Sequence, residues 1–349
     1  MPGPLPTADL EHVLAHTADL WELLRGRRLF ISGGTGSFGG WLLESFALAN
    51  DRLKLRAETT VLTRDAVAFQ KKASHLSNRL DIHFQTGDVR DFKFPPGDFY
   101  AVIHAATEAS AKMNLENPLL MLDTIIGGTR RLLDFAAQCH AKAFLLTSSG
   151  AVYGAQPVGM DSIPEDYTGA PDPAAPNSAY GEGKRVAESL CQIYARLDKL
   201  NIKIARCFAF VGPGLPLDSH FAIGNFIRDA LAGSPIAIRG DGTPMRSYLY
   251  AADLTIWLWK ILFAGAVGRP YNVGSAGSVS IAETAEAVRR GLDRKNPIVI
   301  AQKPVPGQSP ARYVPDTNRA AQELGLREWI SLEEGIRRTA RWHESQRSF

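Results

Sequence analysis

Residues 28–39 read Arg28-Leu29-Phe30-Ile31-Ser32-Gly33-Gly34-Thr35-Gly36-Ser37-Phe38-Gly39. A short apolar run ends in glycines at 33, 36 and 39, and a helical pattern follows from Phe38 to Ala49. Strand, glycine turn and helix in that order make a phosphate cradle. Glycine allows the tight turn and the close approach of a pyrophosphate. The helix N-terminus adds free N–H groups and the positive end of its dipole. The motif gains weight from its place, with a second strand at Thr59-Thr60-Val61-Leu62-Thr63 about twenty residues on.

Outward from this stretch, strand-like runs recur at residues 82–84, 100–104, 143–147 and 202–207, with helical patterns at 118–139 and 179–200. Alternation of this kind predicts a Rossmann-type α/β fold, a doubly wound parallel sheet covered on both faces. After Cys207 the texture changes to loop chemistry, Val211-Gly212-Pro213-Gly214-Leu215-Pro216, followed by short strands and helices. We therefore expect an N-terminal helical extension over 1–26. A dinucleotide-binding domain is expected over 27–207, with a contribution from about 243–275. A smaller mixed α/β substrate domain is expected over 208–349. In the prefix, Leu10, Val13, Leu14, Thr17, Leu20, Trp21 and Leu24 fall on one helical face, which predicts packing on the main domain. The proline-rich piece 164–176 reads as a long loop, a common place for function.

Composition narrows the classes. The chain has 349 residues, 45% of them apolar and 21% charged, with a net charge of +3. This is a globular balance that excludes a disordered tail or a fibre. Lysine and arginine are scattered, so no nucleic acid is expected. Cys139, Cys191 and Cys207 form no CxxC pair, so neither a disulfide scaffold nor a metal site is expected. Free thiols and a start without a secretory pattern lead us to expect a cytoplasmic protein. The most apolar stretch, 254–267, is interrupted by Lys260 and too short to span a bilayer, so no membrane partner is expected.

The end of the second strand bears on the dinucleotide. An acidic residue there binds the ribose 2′-OH of NAD, but the chain has Thr63 followed by Arg64. A guanidinium suits a 2′-phosphate, so NADP(H) is favoured, with NAD(H) open if Asp65 takes the ribose. Asp88, in Gly87-Asp88-Val89, is placed to meet the adenine amino group or simply to cap a turn.

The second strong signal is Tyr180-Gly181-Glu182-Gly183-Lys184, which sets a phenol and an ammonium four apart on one helix face. A nearby cation favours phenolate, so Lys184 is expected to lower the Tyr180 pKa toward neutrality and fit it for acid–base work on an alcohol–ketone pair. Lys184 is also placed to hold the nicotinamide ribose. Ser149 closes the strand that begins near residue 143. It stands at the sheet edge where open α/β folds bind ligands, placed to hydrogen-bond the reacting oxygen.

Together these motifs resemble the extended short-chain dehydrogenase/reductase family, in particular its nucleotide-sugar epimerases, dehydratases, decarboxylases and reductases. The resemblance runs from Leu29 to about His343. It implies that Ser149, Tyr180 and Lys184 form the family triad. Gly33, Gly36 and Gly39, with Thr35, Ser37 and Phe38, correspond to its dinucleotide loop. Asp88 and Val89 match its adenine contacts, and Ala105, Ala106 and Thr107 the segment after its fourth strand. It implies further that Asn225, Arg246 and Arg312 hold the diphosphate of a nucleotide-diphosphate sugar, and two arginines suit bidentate, charge-assisted binding of a pyrophosphate. A homodimer through the helices at 118–139 and 179–200 is also implied.

The departures are equally informative. Dehydratases of the family carry Asp-Glu just after the triad Ser/Thr and decarboxylases keep the glutamate, but this chain has Gly150 and Ala151. Glu182 and Glu165 are the remaining candidates for a base. Thr124-Ile125 stands for the family's Thr-Asn, and Phe208-Ala209 for its Phe-Asn. The expected reaction is therefore 4-ketoreduction of a nucleotide-diphosphate hexose. A 4-epimerase, a 4,6-dehydratase and a non-catalytic dinucleotide-binding protein are the alternatives.

Overall fold

The computed structural model describes residues 3–106, 111–197, 200–219 and 221–347. The chain forms two compact units. One comprises Met1–Gly154, Ala170–Cys207 and Thr255–Tyr271; the other comprises Ala155–Gly169, Phe208–Leu254 and Asn272–Phe349.

The first unit is built on six strands: β1 (Arg28–Ser32), β2 (Glu58–Thr63), β3 (Ile82–Thr86), β4 (Ala101–His104), β5 (Ala143–Ser149) and β6 (Ile202–Cys207). They pair in parallel in the order β3-β2-β1-β4-β5-β6, and the strand Pro270–Val273 completes a seven-stranded sheet beside β6. The neighbouring strands β1 and β4 are nearly continuous apolar runs because both of their faces are covered. Leu29, Phe30 and Ile31 are all fully buried. Phe30 sits among Phe92, Phe99 and Phe135 at ring-centroid separations of 5.5, 5.7 and 4.7 Å. From β1 the chain winds one way to β2 and β3. It then returns past β1 and winds the other way through β4, β5 and β6. The reversal between β1 and β4 creates the crevice at the strand carboxyl ends where such sheets bind ligands.

The helices of this unit are α1 (Thr7–Thr17), α2 (Ser37–Leu53), α3 (Ala66–Lys72), α4 (Ser74–Ser77), α5 (Ala111–Glu116), α6 (Pro118–Gln138) and α7 (Ala179–Leu197). The prefix packs as its apolar face predicts, with Leu10, Val13, Trp21 and Leu24 buried. It is broken, however, into α1 and a short 3₁₀ turn at Trp21–Leu24. Thr17 accounts for the break. Its hydroxyl donates back to the Val13 carbonyl at 2.7 Å and accepts the Trp21 indole N–H at 3.0 Å, which competes with a further helical turn. Trp21 lies 4.7 Å from Trp259, whose own indole N–H donates to Ser45 Oγ at 2.9 Å.

The apolar stretch near 254–267 belongs to the helix Ala251–Ala264, in which Ile256, Trp257, Leu258, Trp259, Ile261 and Leu262 are all buried. An all-round apolar helix is a core helix. No helix among the described residues is long and apolar enough to cross a membrane.

Among the described residues, the second unit holds three small sheets. Phe210–Val211 pairs in parallel with Leu249–Tyr250, and Ile236–Ile238 with Ile298–Ile300. Met245–Arg246 lies between Val279–Ser280 and Arg312–Tyr313. The helix Ile281–Gly291 begins with a full capping box from Ser280 and Glu283. Buried Asp253 accepts the backbone N–H groups of Trp329 and Ile330 at 2.9 Å each and fixes the approach to the last helix.

Replacing Trp21 by Ala removes a fully buried ring from the seam between the prefix and the rest of the first unit. We expect a loss of about 3–5 kcal/mol, read as a lower urea midpoint with the slope unchanged. An unchanged midpoint would mean that the prefix adds nothing to the core.

Candidate active site

The glycine loop stands at the sheet reversal. Gly33 has φ +75°, and a Cβ on it would come within 2.6 Å of the Ala105 carbonyl and the Ala106 nitrogen. A Cβ at Gly39 would meet the Gly33 oxygen at 2.3 Å, so that glycine lets α2 press on the turn. Gly36 is different. It has room for a Cβ, with only the Gly33 oxygen near at 3.4 Å, so protein packing does not demand a glycine there. Its bare Cα stands at the N-cap of α2, where an anion would need the space.

A cavity of about 620 Å³ opens beside this loop. Thr35, Gly36, Thr63, Arg64, Asp65, Asp88, Val89, Ala105 and Ala106 line it, together with Phe69, Lys72, Met113, Leu120, Met121 and Thr124. Its size and mixed lining fit a dinucleotide. The structure thus brings most of the sequence-predicted dinucleotide residues to one cavity, with Ser37 and Phe38 on the first turn of α2. Thr107 lies outside the described residues. Of the second group only Thr124 belongs to a motif read from the sequence; packing of α3, α5 and α6 brings the others there.

Two acids in this cavity have work of their own. Asp65 caps α3, its Oδ1 accepting the Ala68 N–H at 2.8 Å. Asp88 is gripped by Arg90, with Nε to Oδ1 at 2.8 Å and Nη2 to Oδ2 at 2.9 Å. Its Oδ1 also accepts the Arg90 backbone N–H. The side-chain hydrogen bond from Arg90 holds the Asp88 carboxyl below its usual range.

Beyond the loop, β5 delivers Ser149 and α7 delivers Tyr180 and Lys184. Asn114 of α5 sets the start of α7, its Oδ1 accepting the Tyr180 N–H at 3.0 Å. Gly183 lets α7 close on Ile125 of α6, where a Cβ would stand only 3.1 Å away. Ser149 and Lys184 are buried, and the half-buried Tyr180 has its hydroxyl enclosed and hydrogen-bonded to Ser149. Lys184 Nζ donates to the Thr147 carbonyl at 2.8 Å and lies 5.9 Å from the Tyr180 ring centroid. The three side chains predicted from sequence therefore cluster.

Their electrostatics depart from expectation. Lys184 does not draw the phenol toward neutrality. Burial pushes Tyr180 up to about 12, and the Ser149 hydrogen bond offsets this only in part. Burial also pulls Lys184 down to about 8. Enclosure outweighs the lysine because both charged forms lose solvent.

Next to the lysine lies His104, which motif reading missed. Thr129 donates to the Ile125 carbonyl at 2.6 Å, so His104 Nε2 must donate to Thr129 Oγ1 at 3.1 Å, and Nδ1 accepts from Ser32 Oγ at 3.0 Å. That pins a neutral imidazole at the end of β4, and burial, with Lys184 nearby, lowers its pKa to about 3.

In the second unit, Arg246 turns back on the Met245 carbonyl at 2.8 Å, while Arg312 Nη2 stands 3.3 Å from Asp161. Among the described residues Arg312 Nε is buried without a hydrogen-bond partner, an N–H suited to an anion. The strands of the two arginines are paired one residue out of register, Arg312 opposite Met245. Asn225 is engaged with the Ser219 carbonyl and Arg228. The two fallback carboxylates are also held: Glu182 lies 3.6 Å from Arg185, and Glu165 accepts the Asn272 N–H and faces Arg319 at 3.7 Å. Among the described residues, no group of three or more His, Cys, Asp and Glu side chains comes together as a metal site.

A family model described as NAD dependent epimerase/dehydratase matches residues 29–274. The chain belongs to that family. It is therefore a nicotinamide-dependent enzyme of the extended short-chain dehydrogenase/reductase type, within the nucleotide-sugar group. UDP-glucuronic acid decarboxylase 3 of Arabidopsis thaliana is 30% identical over 309 residues, covering 88% of this chain and 86% of the relative. The solved dTDP-glucose 4,6-dehydratase of Streptomyces venezuelae, with NAD bound, has a TM-score of 0.75 at 25% identity over 92% of this chain and 98% of its own. The UDP-N-acetylglucosamine 4-epimerase of Methanobrevibacter ruminantium shares the fold, with a TM-score of 0.78 at 21% identity over 92% and 99% of the two chains.

Because His104 is neutral when folded but titrates near 6.5 when unfolded, the unfolded chain binds an extra proton between about pH 3 and 6.5. Its contribution to stability is complete above that window and falls as the pH drops through it. His104→Gln should show a flatter loss of stability between about pH 7 and 5 in urea titrations. Parallel wild-type and variant curves would remove this role.

Proposed function

We propose that the protein is a nucleotide-diphosphate-hexose 4-ketoreductase that uses NADPH. The observation that carries the reading is the cluster of Ser149, Tyr180 and Lys184, with the Tyr180 hydroxyl hydrogen-bonded to Ser149 and no acid directly after that serine. A neutral phenol carries the proton that the oxygen of a ketone takes up on reduction, and the Lys184 ammonium favours its release. Oxidation, the opening step of epimerase, dehydratase and decarboxylase chemistry, calls instead for the phenolate. The residues after Ser149 support the same direction. Gly150 and Ala151 stand where the resemblance places the acids of dehydratases and decarboxylases, and Glu182 and Glu165 are both tied to arginines.

In this reading Ser149 hydrogen-bonds the substrate oxygen and Tyr180 gives it the phenolic proton. Lys184, anchored on the Thr147 carbonyl, stabilises the phenolate left behind. A nicotinamide dinucleotide supplies the hydride. Gly33, Gly36 and the N-terminus of α2 hold its pyrophosphate, and Arg64 takes the 2′-phosphate because Asp65 is occupied as a cap. Arg246 and Arg312 bind the sugar's diphosphate, with Asn225 nearby in sequence role, as the resemblance implies. The curated relatives named above act on nucleotide sugars, which supports the substrate class. We also read the protein as a cytoplasmic homodimer joined through α6 and α7. Leu119 and Leu197 on those helices are each 75% exposed, apolar area that a partner would cover. A 4-epimerase is the second reading, since it needs only the same triad.

With a panel of 4-keto nucleotide hexoses, Tyr180→Phe should lower turnover by roughly 10²- to 10⁴-fold and leave dinucleotide affinity intact. Full activity in that variant would exclude Tyr180 as the proton donor. Arg64→Ala should weaken NADPH binding by roughly 10- to 100-fold and spare NADH. Equal loss for both cofactors would contradict the 2′-phosphate assignment.

A further inference from the structure

Behind the triad lies a buried polar group that the proposed reaction does not use. Glu188 follows Lys184 by one helical turn on α7 and is 9% exposed. Ser148 Oγ donates to its Oε1 at 2.5 Å. Arg206 of β6 donates to both oxygens, Nε to Oε1 at 3.0 Å and Nη2 to Oε2 at 2.7 Å. The remaining arm of Arg206 donates to the Tyr153 hydroxyl at 2.8 Å, and its guanidinium stands 4.7 Å from that ring's centroid.

The strand register gives this group a consequence. Ser148 pairs with Arg206 and Ser149 with Cys207 across β5 and β6. Successive residues of a strand face opposite sides. Anchoring Ser148 and Arg206 on Glu188 therefore turns Ser149 and Cys207 the other way, where Ser149 meets the Tyr180 hydroxyl. Glu188 is also the carboxylate whose charge favours the ammonium form of Lys184. Among the described residues, the groups that also face Lys184 include Tyr180 and Cys191 on its own helix, His104 and the Thr147 carbonyl on β4 and β5, and Cys207 on β6, next to Arg206. Burial keeps both thiols protonated and His104 neutral, so none of these supplies a negative charge in place of Glu188.

We propose that Glu188, clasped by Arg206 and Ser148, is a positioning residue that aims Ser149 at Tyr180 and fixes a carboxylate one helical turn from the Lys184 ammonium. Its importance for turnover rests on the proposed role of the triad. The titration of Lys184 does not, so the two readings can fail separately.

The test is the Lys184 midpoint in intact protein carrying carbon-13-labelled lysine, followed by NMR against pH. The Lys184 signal is the one lost in Lys184→Arg. The wild-type midpoint is expected near 8. Glu188→Gln should lower it by about one pH unit, and Arg206→Met, which removes a neighbouring cation, should raise it. A folded Glu188→Gln protein with an unmoved midpoint overturns the proposal. If Glu188→Gln does not fold, Arg206→Met decides, and an unmoved or lowered midpoint there overturns it equally.

Discussion

The hydrogen bond between Ser149 and Tyr180 joins two of the three residues on which the proposed chemistry depends. An exposed phenol titrates near 10 and can act in either direction once a cation stands beside it. Here loss of solvent dominates. It pushes Tyr180 up to about 12 and pulls Lys184 down to about 8. The pair therefore sits as a protonated phenol beside an ammonium that is itself near its titration point. A phenol held this high is a weak acid, so release of its proton in the proposed reduction depends on the lysine charge beside it.

The scaffold explains how such a site stays enclosed. Both faces of the parallel sheet are covered, so β4, β5 and β6 bring their carboxyl ends to one edge with little water around them. At the reversal between β1 and β4, Gly33 lies against the backbone of Ala105 and Ala106. Just beneath it, Ser32, His104 and Thr129 form a closed hydrogen-bonded chain from β1 through β4 to α6. Loop, imidazole and triad thus hang from the same strand ends.

Much of this was legible in the sequence. The strand-turn-helix at residues 28–39 announces the fold because glycine spacing and apolar runs are local signals. Tyr180 and Lys184 share a helix face by spacing alone. What escaped depends on three-dimensional packing. The prefix reads as one helix, yet the Thr17 hydroxyl breaks it at a point set by Trp21. Asp65 looks free to take a ribose, yet it caps a helix that its neighbours do not advertise. The Tyr180 pKa follows from enclosure, which no spacing reveals. Glu188 and Arg206 are 18 residues apart and meet only because β6 runs beside β5 under α7.

The direction of hydride flow tests the central claim most directly. A 4-keto nucleotide hexose would be incubated with the protein and NADPH bearing deuterium at the transferable position of the nicotinamide. We predict one deuterium on the sugar carbon that carried the ketone, with an equal amount of NADP formed. Interconversion of two nucleotide hexoses with no net oxidation of the cofactor would contradict it.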